Sequence, residues 1–261
     1  MKIKIYQVDA FTDKVFSGNP AAVCPLGNEW LDDALMQNIA NENNLSETAF
    51  YIWQNDKYHI RWFTPSVEVD LCGHATLAAA YVQFFHENYT SNIVNYESRS
   101  GILSVKRSND MLTMNFPSDK INKADLNDEL KSCFNIAPVE IYKGVSDYLL
   151  IFRDEDEIEN IKFDLFNIAK IKARGIIISA KGKNSDFVSR FFAPQSGVNE
   201  DPVTGSAHTT LTNYWSKALN KNEFTAIQLS NRRGFLICKN LGERIEISGK
   251  AKLYMQGEIS V

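Results

Sequence analysis

The chain has 261 residues, 44% of them hydrophobic, and a formal net charge of −4. That length and apolar content suffice for a sizeable core, in one large domain or in two lobes. The acidic balance argues against nucleic acid as a partner, and no apolar run is long enough to span a membrane. The four cysteines are scattered and the N-terminus lacks the apolar region of a signal peptide, so we expect a cytoplasmic protein with reduced thiols.

The first half of the chain is predicted to be rich in strands, with two helices. Alternating and short apolar runs indicate strands at 3–11, 21–24, 47–53, 58–63, 92–98, 102–106 and 112–116. Residues 31–43 have the apolar spacing of an amphipathic helix. Residues 73–85 are mostly Ala, Leu, Val and aromatic, which is typical of a helix that is buried nearly all round.

The second half repeats this order. Strands are expected at 148–152, 175–179, 187–192, 225–229, 234–240, 244–248 and 251–259. One helix is expected at 206–219, between the third and fourth of these strands. The acidic run 153–157 is expected to be a solvated loop rather than a partner site.

Two stretches of sequence resemble each other. The segment 61–65 (Arg-Trp-Phe-Thr-Pro) matches 190–194 (Arg-Phe-Phe-Ala-Pro), and each leads to a glycine-led helix start, at 72–76 and at 204–208. Such duplication predicts two pseudo-symmetric lobes. We place them at 1–117 and 118–261, with the last strand a candidate for packing on the first lobe. Each lobe is expected to be a curved, mostly antiparallel sheet around a central helix, in an α+β fold.

The two glycines that begin these helices, Gly73 and Gly205, are candidate substrate-binding residues. The first turn of a helix has unpaired N–H groups and a positive dipole end. If both helices point their starts at one cleft, their N–H groups can bind a carboxylate or a developing oxyanion. The alternative is that each glycine only allows a tight turn.

Polar residues next to the glycines are further candidates. His74 and Ser206 hold equivalent places, where either could add a hydrogen bond to the same anion or simply cap its helix. Asp201 precedes Pro202, which favours an extended conformation for it. Its carboxylate could hold a substrate ammonium or hydroxyl, or could stabilise an Asx turn.

Glu47 and Cys72 are the candidates for proton transfer. A carboxylate beside a core has a raised pKa through desolvation, which suits a general acid/base; from its local pattern alone, Glu47 is more simply an exposed residue at a strand start. Cys72 and Thr204 form a symmetric pair before the glycines and, with Gly73 and Gly205, are candidate substrate-binding residues. A two-thiol racemase is disfavoured because a threonine hydroxyl is a very poor base, and a structural role for Cys72 is favoured, although a cysteine at a helix start can be activated.

Templates for other chemistries are missing from the sequence. There is no dinucleotide-binding or phosphate-binding glycine loop. Cys72 and His74 lack further ligands at zinc-like spacing. The sequence therefore offers no template for dinucleotide binding, for a phosphate loop or for a zinc site.

Six segments carry motifs that are specific when taken together: 8–12 (VDAFT), 18–23 (GNPAAV), 46–50 (SETAF), 63–65 (FTP), 68–76 (EVDLCGHAT) and 200–207 (EDPVTGSA). They resemble the PhzF-like family of phenazine-biosynthesis isomerases, over nearly the whole chain. The resemblance implies a diaminopimelate-epimerase-like fold, a homodimer, and a metal-free, cofactor-free site in the cleft between the lobes. It also implies that Glu47, His74, Asp201 and Ser206 are the catalytic residues.

The resulting hypothesis is a cofactor-independent isomerase that moves a proton on a small carboxylate-bearing substrate. The family's founding activity isomerises trans-2,3-dihydro-3-hydroxyanthranilate, but Cys72 departs from the phenazine enzymes and leaves the substrate of this chain open. One alternative is a one-base or cysteine-assisted epimerase that uses Cys72. Another is a binding protein that has kept the cleft and lost turnover.

Overall fold

The computed structural model describes residues 1–261, which fold into two compact units. Unit 1 comprises Met1–Asn115 and Ser248–Val261, and unit 2 comprises Phe116–Ile247. The sequence division at residue 117 assigned the last segment to the second lobe, with its final strand as a candidate for the first. In the structure, Ser248–Val261 belongs to unit 1.

The strands follow one another along the whole chain, and the helices are fewer. The strands are β1 (Lys2–Ala10), β2 (Asn19–Pro25), β3 (Glu47–Gln54), β4 (Lys57–Phe63), β5 (Glu68–Val69), β6 (Ile93–Ser98), β7 (Gly101–Ser108), β8 (Met111–Pro117), β9 (Asn122–Lys123), β10 (Glu140–Lys143), β11 (Asp147–Ile151), β12 (Gly175–Lys181), β13 (Phe187–Phe192), β14 (Glu223–Gln228), β15 (Gly234–Asn240), β16 (Arg244–Gly249) and β17 (Ala251–Ser260). The helices are α1 (Asp33–Asn43), α2 (Gly73–His86), α3 (Asp128–Lys131), α4 (Glu155–Asn160), α5 (Leu165–Ile168) and α6 (Gly205–Leu219), with a 3-10 turn at Pro194–Ser196.

Unit 1 is a mostly antiparallel sheet with two parallel steps. Its strands pair in the order β17-β1-β2-β3-β4-β6-β7-β8, and β5 pairs with the end of β4. The parallel pairs are β2 with β3 and β4 with β6. A parallel pair needs a crossover connection, and these crossovers contain α1 and α2 respectively.

Unit 2 repeats this pattern of pairing. Its strands pair in the order β9-β10-β11-β12-β13-β14-β15, and the parallel pairs are β11 with β12 and β13 with β14. The crossovers contain α4 and α5 in the first case and α6 in the second. The antiparallel and parallel steps therefore alternate in the same way in both units, which confirms the expected α+β class and its pseudo-symmetric repeat.

Each unit encloses one long helix, as predicted. Helix α2 lies against β1, β2, β3 and β7. Its residues 74–80 are all buried, because small side chains such as Ala78, Ala79 and Ala80 allow close approach on every side. Helix α6 contacts β11 and β15 and buries a face that includes Leu211 and Trp215. Helix α2 begins at Gly73, as predicted, and α6 begins at Gly205, one residue before the predicted start at 206.

The acidic run 153–157 is not the loop that we expected. Asp154 is the N-cap of α4, and its carboxylate accepts a hydrogen bond of 2.9 Å from the backbone N–H of Glu157. Acidic side chains are stabilising in a first helical turn, where the helix dipole is positive. The charged run therefore forms the start of a short helix, in which Ile158 is the buried residue.

The structure bears on the predicted state of the cysteines and on the absence of a membrane-spanning helix. All four cysteines are free and buried. None of the helices combines the length and the apolar character needed to cross a bilayer.

Candidate active site

Glu47 and His74 come together in unit 1. Glu47 is the first residue of β3, with its side chain 16% exposed, and His74 is the second residue of α2, with its side chain 7% exposed. Nε2 of His74 lies 3.2 Å from Oε2 of Glu47. The contact lacks full hydrogen-bond alignment, which is common in catalytic pairs before substrate binds. The strand-start glutamate is thus largely buried against a histidine rather than exposed.

A short hydrogen-bonded chain fixes the orientation of His74. The hydroxyl of Ser46 donates to Oδ1 of Asn19 at 3.3 Å, so the amide NH₂ of Asn19 faces the imidazole. That NH₂ lies 3.2 Å from Nδ1 of His74, which must therefore accept. In a neutral imidazole the hydrogen then resides on Nε2. His74 accordingly presents an N–H to the carboxylate of Glu47.

The protonation state of His74 follows from its burial. Desolvation lowers the pKa of His74 to about 3, so the ring is neutral near pH 7. A neutral imidazole can donate one hydrogen bond to Glu47 without competing for its proton. The pair can therefore act as a carboxylate base held in place by an uncharged donor.

Cys72 completes this cluster. Its Sγ lies 3.6 Å from Nδ1 of His74, and ligand atoms of Glu47, Cys72 and His74 all lie within 4.8 Å of one another. These are the residues that could hold a metal ion. Both ring nitrogens of His74 already face other members of the cluster, which suits a hydrogen-bonded assembly. That the site works without a metal or cofactor stays a prediction.

Exchanging Asn19, which is fully buried, for aspartate is expected to reduce turnover about 10- to 100-fold and to lower the stability of the fold, because it places a charge in the interior. An aspartate can only accept, so it would favour the hydrogen on Nδ1 and leave Nε2 without one to offer Glu47. Steady-state kinetics together with the ¹⁵N shifts of the His74 ring would report both changes. Unchanged ring shifts would contradict the assigned tautomer.

In unit 2, Asp201 and Thr204 are joined by hydrogen bonds. The hydroxyl of Thr204 donates to Oδ2 of Asp201 at 2.5 Å. The buried amide of Gln228 accepts from the N–H of Thr204 at 2.9 Å and donates to the carbonyl of Asp201 at 2.7 Å. Gln228 thus fixes the loop that leads into α6. Sequence analysis missed this residue, because nothing marks it at the end of an ordinary strand.

The two helix starts lack side-chain caps. Cys72 and Thr204 occupy the N-cap positions of α2 and α6, and neither side chain accepts a hydrogen bond from its helix. The first N–H groups, which follow Gly73 and Gly205 in each helix, are therefore not satisfied by a cap and can meet an anion. That Gly73 and Gly205 bind the substrate stays a prediction.

Ser206 has a partner that the sequence did not suggest. Nη1 of Arg174 donates to Oγ of Ser206 at 2.9 Å, and Nε of Arg174 donates to Oδ1 of Asp147 at 2.9 Å. Burial acts to lower the pKa of Arg174, but the hydrogen bonds and charge of Asp147 outweigh it and raise that pKa. A permanent cation therefore lies at the start of α6.

Stability is expected to fall as the pH drops below about 6.5, the usual pKa of an exposed histidine. Burial lowers the pKa of His208 to about 4, while its Nδ1 lies 2.8 Å from the carbonyl of Thr204. Burial lowers the pKa of His74 in the same way. Between the folded pKa of each histidine and its unfolded pKa of about 6.5, the unfolded chain binds more protons than the folded chain. The free energy of unfolding therefore falls by up to about 1.4 kcal/mol for each histidine and each pH unit of acidification. Urea unfolding at several pH values measures this slope.

The variant His208→Asn tests how much His208 contributes to the pH dependence of the free energy of unfolding. Asparagine retains a donor for the Thr204 carbonyl but cannot titrate, so the acid-side slope should fall by the share of one histidine. An identical slope in the wild type and the variant would show that His208 does not remain neutral in the fold.

Known proteins with similar sequences identify the family of this chain. A family model described as "Phenazine biosynthesis-like protein" matches residues 8–257. The chain belongs to this family. It is 49% identical over 259 residues to a Pseudomonas aeruginosa protein named an uncharacterized isomerase, with 99% of each chain covered.

Solved structures agree with the family assignment. A PhzF-family phenazine biosynthesis protein from Enterococcus faecalis is similar to this chain with a TM-score of 0.97 and 42% identity, and 100% of each chain is covered. A hydroxyproline epimerase from Agrobacterium vitis shares the fold alone, with a TM-score of 0.63 and 8% identity over 99% of this chain and 92% of that chain. The predicted family, the epimerase-like fold and the expectation of an isomerase are thereby confirmed.

Proposed function

We propose that this chain is a cofactor-independent isomerase that shifts a proton on a small carboxylate-bearing substrate, with Glu47 as the general acid/base. The contact of 3.2 Å between Glu47 and His74 carries the proposal. It places a largely buried carboxylate beside a neutral donor, at the uncapped start of α2. A base that must take up and return one proton needs such protection from bulk water.

The proposed reaction begins when Glu47 removes a proton from the carbon next to the substrate carboxylate. The electron pair left on that carbon spreads into the neighbouring π system as enolate-like charge, which backbone N–H groups at the helix starts stabilise. Glu47, now protonated, delivers a proton to another carbon of the substrate, and this carboxyl proton can exchange with solvent before it is delivered. One proton is removed and one is added, and the electron pair stays within the substrate, so no co-reactant besides water is needed. Asp201, His74 and Ser206 orient the substrate.

Deuterium exchange tests the proposal. The protein would be incubated in D₂O with a panel of cyclic and acyclic amino and hydroxy acids, and mass spectrometry would detect isomers and deuterium in them. We expect at least one acid to be isomerised with solvent deuterium at the receiving carbon. Ligand-dependent thermal stabilisation without exchange in any compound would support a binding protein instead.

A cysteine-assisted epimerase is the second candidate, because Sγ of Cys72 lies 3.6 Å from His74. We expect Cys72→Ala to retain exchange within about threefold of the wild type, since Glu47 alone carries the proton. Loss of exchange in Cys72→Ala, with Cys24→Ala as a control for removing a buried thiol, would favour the epimerase. The assay is the same deuterium measurement.

We also propose a homodimer that acts in the cytoplasm, as the family resemblance implies. Light scattering on the purified protein and fractionation of expressing cells test these two points.

A further inference from the structure

The pairing pattern makes β3 of unit 1 and β12 of unit 2 equivalent. Each begins where a parallel pair starts: Ala21 of β2 pairs with Glu47, and Asp147 of β11 pairs with Gly175. Glu47 opens β3, whereas Gly175 opens β12 and directly follows Arg174. Gly175 of unit 2 is therefore the counterpart of Glu47 of unit 1, and the residue directly before Gly175 is Arg174.

The helix residues that face these positions are equivalent too. His74 and Ser206 are each the second residue of their helix, α2 or α6. His74 contacts the carboxylate of Glu47, and Ser206 contacts the guanidinium of Arg174. The group that contacts the helix residue is therefore a carboxylate in unit 1 and a guanidinium, paired with Asp147, in unit 2. The unit that carries the carboxylate suits proton transfer, and the unit that carries the cation suits recognition of an anion.

Arg174 is held in place from both its backbone and its side chain. Its N–H donates to the carbonyl of Ser146 at 2.8 Å. Its guanidinium forms a two-pronged contact with Asp147, whose side chain is only 2% exposed, and packs over the ring of Phe191 at 5.4 Å. Gly175 makes room for that ring, because a Cβ there would lie 2.4 Å from it. Such fixing reduces the entropy lost on binding a ligand.

The guanidinium retains donors for a ligand. It has five N–H groups; two go to Asp147 and one goes to Ser206. The remaining N–H groups belong to a side chain that is 41% exposed. Ser206 accepts from Arg174, so its own hydroxyl hydrogen can be donated elsewhere. Arginine binds carboxylates through paired donors of this kind.

We propose that Arg174 binds the carboxylate of the substrate together with the hydroxyl of Ser206, and that Asp147 is its positioning residue. The inference rests on the proposed isomerase, because it assumes a carboxylate-bearing substrate. It assigns carboxylate recognition to residues within unit 2. Substrates with a free carboxylate are then selected over their esters and amides.

The two other carboxylates that act on Arg174 form hydrogen bonds within unit 2. Asp119 and Asp201 act on it electrostatically besides Asp147. Asp119 accepts from the hydroxyl of Thr210 at 2.7 Å, and Asp201 accepts from that of Thr204. Because Asp201 also acts electrostatically on Arg174, an amino acid, which carries an ammonium as well as a carboxylate, is the ligand chemistry that fits these charges.

The test compares anthranilate with its amide, anthranilamide, and uses acetate as a minimal carboxylate. NMR titration would follow the Nε–H of Arg174 and the backbone N–H of Ser206. We expect anthranilate and acetate to shift both signals, and anthranilamide to bind about 10- to 100-fold more weakly than anthranilate, as loss of a hydrogen bond to a charged group predicts. If neither carboxylate moves the Arg174 signal at saturating millimolar concentrations, the proposal is wrong.

Variants separate recognition from structure. Arg174→Met leaves Asp147 buried without its partner, so the informative variant combines it with Asp147→Asn. This double variant should lose the preference for anthranilate over anthranilamide, whereas Arg153→Met, which removes a charge at an exposed side chain, should keep it. Unchanged preference in the double variant would assign Arg174 a structural role only.

The isomerase proposal can fail separately from this one. Glu47→Gln leaves the Arg174 contacts intact and should bind anthranilate as the wild type does. Carboxylate binding without deuterium exchange in any compound would overturn the isomerase and leave the Arg174 site standing. Exchange with an unchanged KM in the double variant would overturn the Arg174 site alone.

Discussion

Glu47→Gln is expected to lower the rate of isomerisation and of deuterium uptake by about 10³-fold or more, within the range attributed to general acid/base groups. Glutamine has nearly the same shape and can still face Nε2 of His74, but its amide cannot take up a proton. The fold should survive, because Glu47 lies at a strand start and remains partly exposed. Mass spectrometry of the substrate after incubation in D₂O measures the effect.

The matched control for this prediction is Glu42→Gln, which removes a carboxylate from the exposed face of α1. It should exchange at the wild-type rate. If Glu47→Gln retained exchange while folded, another group would have to move the proton, and Cys72 would be the next candidate because it belongs to the same cluster.

Arg174→Met is expected to lower the free energy of unfolding by about 3–5 kcal/mol. The reason is the carboxylate of Asp147, which is 2% exposed and would lose the guanidinium that balances its charge. A buried charge without a partner is far more destabilising than the loss of a pair. Urea unfolding followed by circular dichroism at neutral pH gives the difference.

The double variant Arg174→Met with Asp147→Asn should recover most of that loss, because it leaves no buried charge. Arg233→Met is the control for an exposed pair, since Arg233 and Glu159 are both near half exposed, and it should change stability by at most about 1 kcal/mol. Equal destabilisation of the single and double variants would mean that packing of Arg174 over Phe191 dominates over the charge of Asp147.

Much of the architecture could be predicted from the spacing of apolar residues. Helices α2 and α6 begin at Gly73 and Gly205, within one residue of the starts that the sequence predicted at 73 and 206. Glu47 is different. Its local pattern favoured an exposed strand start, and only the family resemblance raised it to a catalytic candidate. The burial that makes it suitable comes from α2, which lies beyond two further strands in the sequence.

The residues that sequence reasoning missed act through contacts distant along the chain. Asn19 orients His74 across 55 positions, and Gln228 fixes Asp201 across 27. Arg174 lies in an irregular segment without periodicity, so nothing local distinguishes it from a surface arginine. Only alignment of the two units by their strand pairing shows that it precedes the counterpart of Glu47.

The pairing of β17 with β1 has a consequence for synthesis of the protein. Nine residues of β1, from Lys2 to Ala10, find partners on a strand that follows all of unit 2. A chain emerging from the ribosome therefore leaves this edge of β1 unpaired until residues 251–260 have been synthesised. Unit 2 is continuous and can fold during that interval. An unpaired strand edge can pair with another chain and aggregate. We therefore expect a chaperone that covers this edge of β1, or rapid translation, to increase the yield of folded protein.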